Sequence, residues 1–217
     1  MQKKLTAALL ACAAVLALCN CIGITADISI RANGSGRIAL EYQVSQMLES
    51  MGRLDGNERW PAVPAGKADF ERSLARIPGL RLVSHKVKDV PNAAGGRDLV
   101  TRAVLEFSDS SALLAFLDSS GSRASIAEEN GKKKLRLELR NPSAALGNAD
   151  LKNLLREISA GYGLNISVSV PAGADISIQP AVPSAKTATQ KKKVSFSVSM
   201  ADFLEYSEDV ILEVVYE

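Results

Sequence analysis

The chain has 217 residues, 26 Lys and Arg against 24 Asp and Glu, one His and three Cys. So even a balance argues against a nucleic-acid partner. All three cysteines (Cys12, Cys19 and Cys21) lie near the start, so the body has no disulfide framework and depends on its core for stability.

Lys3 and Lys4 open the chain, and an apolar run from Leu5 to Leu18 follows. The run falls short of the roughly 20 residues that span a bilayer and carries charge only on its N-terminal side, which marks a secretory signal. It ends Leu18-Cys19-Asn20-Cys21. A Leu three residues before a Cys resembles the lipobox of bacterial lipoproteins, and Asn20, where Gly, Ala or Ser is usual, resembles the relaxed form of spirochaete-type lipoproteins. The resemblance implies cleavage after Asn20 and a lipid anchor of palmitate type on Cys21. Cys19 is the competing acceptor, but the bulky Leu18 precedes it; the alternative is a plain secretory signal that leaves Cys21 a free thiol. Residues 1–20 are then a signal peptide, 21–26 a short tether and 27–217 one domain. Removing Lys3 and Lys4 leaves 24 basic and 24 acidic residues. Five extended residues reach under about 18 Å, so the domain sits close to its membrane. Ile22 rather than Asp after the Cys implies, by analogy with diderm lipoproteins, transport to the outer membrane.

Ile28 and Ile30, then Ile38, Leu40, Tyr42 and Val44, alternate with polar or small residues on either side of Asn33-Gly34, which predicts a β-hairpin over 27–44. Trp60 follows in a Gly- and Pro-rich loop, where it caps the core or anchors a partner. Phe70, Leu74 and Ile77 have helical spacing and stop at Pro78-Gly79. A strand from Leu80 to about Val90 carries His85, the only histidine, in phase with Val83 and Val87. With no second His or Cys at ligand spacing, His85 reads as a half-buried strand residue rather than a base or metal ligand.

The pattern repeats. Leu99 to Phe107 is a strand, Ser108 or Asp109 caps a helix carrying Leu113, Phe116 and Leu117, and Asp118 to Gly121 ends it. A short strand at Ala124 to Ala127 turns at Glu129-Asn130-Gly131 into Leu135, Leu137 and Leu139. A third helix is predicted from Leu151, Leu154, Leu155 and Ile158. Leu164 to Val170 alternates as a strand. Residues 171–193 lose the periodicity and read as a flexible loop, in which Ile176 and Ile178 add a brief strand at most. Lys132-Lys133-Lys134 and Lys191-Lys192-Lys193 are either solvated turns or sites for anionic headgroups. Val194 to Met200 and Val210 to Tyr216 are the last strands.

Nearly every strand is apolar on one face only, which predicts an α+β fold: a curved antiparallel β-sheet with about three short helices packed on one face. The alternative is two smaller α+β lobes divided near Gly121. The lipobox, the almost immediate strand, the Asn33-Gly34-Ser35-Gly36 hairpin and the capped helix after Phe107 together resemble the LppM-type domain of bacterial lipoproteins. That resemblance implies a sheet wrapped about helices in the manner of lipid-transfer folds.

No Gly-x-Ser-x-Gly elbow, His-Glu-x-x-His, phosphate loop or dinucleotide fingerprint occurs. The expectation is a non-enzymatic envelope lipoprotein with no cofactor and no catalytic or metal residues. Its site residue is Cys21, its partner is the membrane, and it binds a lipid or other apolar ligand. The alternative is a structural or surface-interaction lipoprotein with a solid core. The two differ in whether the inward Leu, Val and Phe side chains fill the concavity or line a void.

Overall fold

The computed structural model describes residues 22–45, 66–92, 95–118, 121–139, 153, 156–157, 159, 161–179, 181–182, 184–206 and 208–217. Two hairpin strands come first, β1 (Ile22–Ile30) and β2 (Gly36–Ser45). Helix α1 (Lys67–Leu74) leads into β3 (Leu80–Pro91) and β4 (Arg97–Phe107). Helix α2 (Ser110–Leu117) is followed by β5 (Ala124–Glu129) and β6 (Lys132–Leu139). The remainder comprises β7 (Gly163–Ser169), β8 (Ala174–Gln179), β9 (Lys186–Gln190), β10 (Lys193–Ser199), helix α3 (Met200–Glu205) and β11 (Val210–Tyr216).

The fold is α+β, but the strands form two sheets rather than one. The larger has seven strands in the order β3-β4-β2-β1-β7-β10-β9, and the smaller has four, β5-β6-β11-β8. One-faced alternation shows which side of a strand is apolar but not which sheet the strand joins, so a single sheet was the simpler expectation. One pair also departs from antiparallel: β1 runs parallel to β7, with Ala26 beside Ile166 and Ile28 beside Val168. More than a hundred residues separate these strands, and no local signal reports such a pairing. Neither sheet stops at Gly121, so the division into two lobes there is absent. Strands after Gly121 enter both sheets, and one hydrophobic cluster contains residues of each.

Residues 22–26 belong to β1 and are not a tether, because Ile22 and Ile24 continue the alternation of Ile28 and Ile30 backwards to pair with Val44 and Tyr42. The stretch 171–193 is likewise more than a loop. Ile176 and Ile178 lie in β8 against Val214 and Leu212, and the wholly exposed β9 pairs with β10. Strand β9 has no inward apolar row to reveal it; its backbone alone extends the sheet edge. The helix expected from Leu151, Leu154, Leu155 and Ile158 lies outside the described residues. The third described helix is α3, where Ser199 Oγ accepts from the amide of Asp202 at 3.1 Å.

The inward row of the larger sheet (Ile24, Ile28, Ile38, Leu105, Phe196) and that of the smaller (Leu135, Leu137, Leu212, Val214) are buried in the common cluster. Burying such side chains stabilises by about 1.5–3 kcal/mol each, so the meeting of these two faces is what holds the molecule together. Helices α1 and α2 stand beside this interior, with Phe70, Leu74 and Leu113 in the same cluster.

Candidate functional site

The interior between the sheets is not completely filled. Ile24, Ala26 and Ile28 on β1, Leu40 and Tyr42 on β2 and Ile166 on β7 form one wall of a pocket of about 110 Å³; Ala124, Leu137 and Leu139 form the other. Phe70 and Leu74 of α1 and Phe116 and Leu117 of α2 line it from the helices. The alternation explains the wall, since every second residue of β1 points inward, and Ala26 is the small member of an otherwise isoleucine row.

The helices are fixed locally. Asp109 caps α2 by accepting from the Ala112 amide at 2.9 Å, and its bond from the Ser108 hydroxyl, more than that from Ala112, holds its carboxyl below the usual carboxylate range. At the other end Asp118, 6% exposed, accepts from the amides of Arg123 and Ala124 and so fixes the entry to β5. On α1, the Phe70 ring stacks on Tyr42 with centroids 6.2 Å apart and meets the His85 imidazole at 5.2 Å. Burial pushes the Tyr42 phenol up to about 12, with a smaller opposite pull from the Thr101 hydroxyl.

Polar residues are few in the lining: Tyr42, Ser73, Arg123 and Glu138. Such a site can hold an apolar chain or ring. Its size is telling, because an apolar cavity of about 150 Å³ takes up benzene. The pocket therefore suits a segment of a lipid rather than a whole one.

A second depression, about 350 Å³, lies on the opposite face of the larger sheet. Thr25, Asp27, Asn165, Ser167, Ser195 and Lys193 line it. These groups largely satisfy one another: Ser167 donates to Asp27, Lys193 Nζ lies 3.3 Å from Asp27 Oδ1, and Asn165 Nδ2 donates to Thr25 Oγ1 at 3.4 Å. Although larger, it is a paired polar surface, and the apolar pocket is the better candidate.

Cys21 and Trp60 lie outside the described residues. His85 is half-buried on β3 as expected, and its Nε2 makes no hydrogen bond among the described residues. Lys132 and Lys133 stand opposite Glu129 and Glu128 across the β5–β6 hairpin, and Lys134 Nζ is 3.6 Å from Glu129. Lys191 and Lys192 form the β9–β10 turn, whose carbonyls accept from Ala174 and Val170 at 3.0 and 2.8 Å. Both lysine triplets therefore sit at hairpin ends. Among the described residues no group of three or more His, Cys, Asp or Glu is placed to hold a metal, and no helix is long and apolar enough to cross a membrane.

Among the lining residues, Ala26 and Arg123 are ones that sequence reasoning did not single out, whereas Phe116 and Leu117 were read as the apolar face of α2 without any sign that they border a pocket. Ala26 was the available signal, a small side chain within an Ile-rich inward row.

The molecule is thus an α+β protein of two sheets that meet around an apolar pocket. Compared with known proteins, the chain matches no family model and no curated protein. It is similar in structure to the folded domain of the Mycobacterium tuberculosis LppM protein, solved by NMR. The TM-score is 0.45 at 10% sequence identity, over 91% of this chain and 90% of that one.

Proposed function

We propose that this chain is a cell-envelope lipoprotein, anchored through Cys21, whose body is a non-catalytic module that binds a lipid or other apolar ligand between its two sheets. The observation that carries the binding reading is the apolar pocket. Leaving about 110 Å³ unfilled costs on the order of 2–3 kcal/mol, a large share of the stability of an ordinary domain, and an occupant would recover it. Lys3, Lys4, the Leu5–Leu18 run and Leu18-Cys19-Asn20-Cys21 support export and anchoring, and Ile22 after the Cys favours the outer membrane.

The full chain purified from membranes is to be extracted with organic solvent and the extract compared by mass spectrometry with that of an unrelated membrane-anchored protein. About one apolar molecule per chain, absent from the control, is the expected result. An extract no richer than the control would sink the binding reading and leave a structural or surface-interaction lipoprotein.

A further inference from the structure

The large apolar side chains exposed among the described residues, Val83, Val87 and Val90, all stand on β3, one edge of the larger sheet. Val87 and Val90, 40% and 37% exposed, belong to its C-terminal half and project to opposite sides of the edge, as alternate strand positions do. Lys86 and Lys88 beside them are exposed and form no ion pair among the described residues. Arg97, also exposed, opens β4 opposite Pro91, and Asp89 is the exposed acid within this group. Three cations and two open valines suit a surface that is anionic outside and apolar beneath.

The register places this corner beside the anchor. Ile22 pairs with Val44, Val44 with Leu99 and Leu99 with Asp89, one row across four strands. Three strand spacings make that row about 14 Å wide. Cys21 directly precedes Ile22 in the chain. The lysine triplets lie at the other end: Lys193 shares a row with Ser169 and Ser29, and Lys133 joins them through Tyr216 and Ala174, whose amide donates to the Lys191 carbonyl. From Ile22 to Ser29 the strand rises about 23 Å, well beyond the roughly 8 Å over which charge acts at physiological ionic strength.

We infer that the corner formed by Lys86, Val87, Lys88, Val90 and Arg97 docks on the anionic phospholipid surface that holds the Cys21 anchor, with both lysine triplets directed away from it. This rests on anchoring through Cys21. Docking stays at headgroup depth, because the outer edge of β3 has no strand partner among the described residues and its backbone groups need water.

The test reconstitutes the full chain, purified from membranes, into phosphatidylcholine vesicles with and without phosphatidylglycerol, each carrying a quencher on the lipid headgroup. A fluorophore is attached through Val90→Cys or Lys192→Cys. With phosphatidylglycerol present, the label at 90 is expected to lose most of its emission and the label at 192 almost none. Lys86→Gln and Lys88→Gln are each expected to lower the docked-to-free ratio about fivefold, which restores emission at 90. An unquenched label at 90, equal quenching at both positions, or quenching at 90 that ignores phosphatidylglycerol and the two lysines overturns the docking and leaves the anchor standing. A chain that carries no acyl group and does not float with the vesicles overturns the anchor, and the docking with it.

Discussion

Asp98 is only 1% exposed, and its partners are neutral: the Gln43 side-chain amide, Asn92 Nδ2 at 2.7 Å and the Tyr162 hydroxyl at 2.9 Å. These come from β2, the β3–β4 turn and the residue before β7, so one carboxylate ties three segments at one end of the larger sheet. Asp98→Asn puts a donor where donors already point. The expected loss is on the order of 2–3 kcal/mol, read as a lower urea midpoint at unchanged slope; an unmoved midpoint would mean that the cluster contributes nothing net. Tyr42 gives a pH effect of definite sign. Its folded pKa of about 12 stands above the ordinary 10, so the folded chain keeps a proton that the unfolded chain releases. The associated stability is complete below about pH 10 and is lost as pH climbs towards 12, by about 2–3 kcal/mol in all. Burial raises Tyr216 in the same direction. Tyr42→Phe should flatten most of the alkaline fall in chemical melts between those pH values, and an unaltered fall would assign it elsewhere. At this scale the sequence was legible for local bonds, such as the Asp109 cap, and silent on Asp98, whose partners Gln43 and Tyr162 are distant along the chain.

Among the elements, the strands were the most legible because period-two alternation is a local property, whereas turn geometry was legible only in part. Asn33-Gly34 marked the β1–β2 hairpin, yet only Gly34 is left-handed, at φ +80. The amide of Gly34 bonds Arg31 O at 2.9 Å and that of Arg31 bonds Ser35 O at 2.8 Å, which is a type I turn with a glycine bulge rather than a two-residue loop. The two-residue turn occurs at Asn130-Gly131, with φ of 53 and 75. Helix α3 passed unread because Met200 reads equally well as the end of the β10 alternation. Gly36, the first residue of β2, offers a test at this scale. It faces Phe107 across the sheet, and a Cβ there would lie 2.0 Å from Ser29 O and 2.3 Å from Phe107 Cζ. Backbone on one side and a 2% exposed ring on the other leave little room to yield. Gly36→Ala should therefore cost at least about 1–3 kcal/mol in a thermal or denaturant melt, and a neutral result would show that the hairpin relaxes freely.

The whole molecule depends on pairings that no local pattern encodes. The α+β class followed from one-faced strands alternating with short helices, but the assignment of β11 to a sheet with β6 and β8, and the parallel contact of β1 with β7, are decided by tertiary packing. The pocket was illegible for the same reason, since Ala26 and Leu139 line it from different sheets. Anchoring is tested at this scale: Cys21→Ala should move the chain from the membrane to the soluble fraction, and unchanged fractionation would refute the lipobox. Since β1 begins at Ile22, an anchored chain would have its acyl groups one residue from a central strand of the larger sheet.

Whether the space between the sheets is an unfilled volume or a well-packed seam can be settled with Ala26→Leu, which adds three carbon atoms to the inward row that lines the pocket. In a tightly packed core such a change costs about 1–3 kcal/mol through off-rotamer side chains and backbone shifts. In a pocket of about 110 Å³ the new atoms enter existing space, recover dispersion contacts and leave stability unchanged or higher by up to about 2 kcal/mol. The ligand-binding reading requires both halves of one result: an undiminished urea midpoint and loss of the co-purifying apolar molecule. A variant that loses stability would show that the space is already taken by protein. A variant that keeps its stability and its ligand would place binding outside the seam between the sheets.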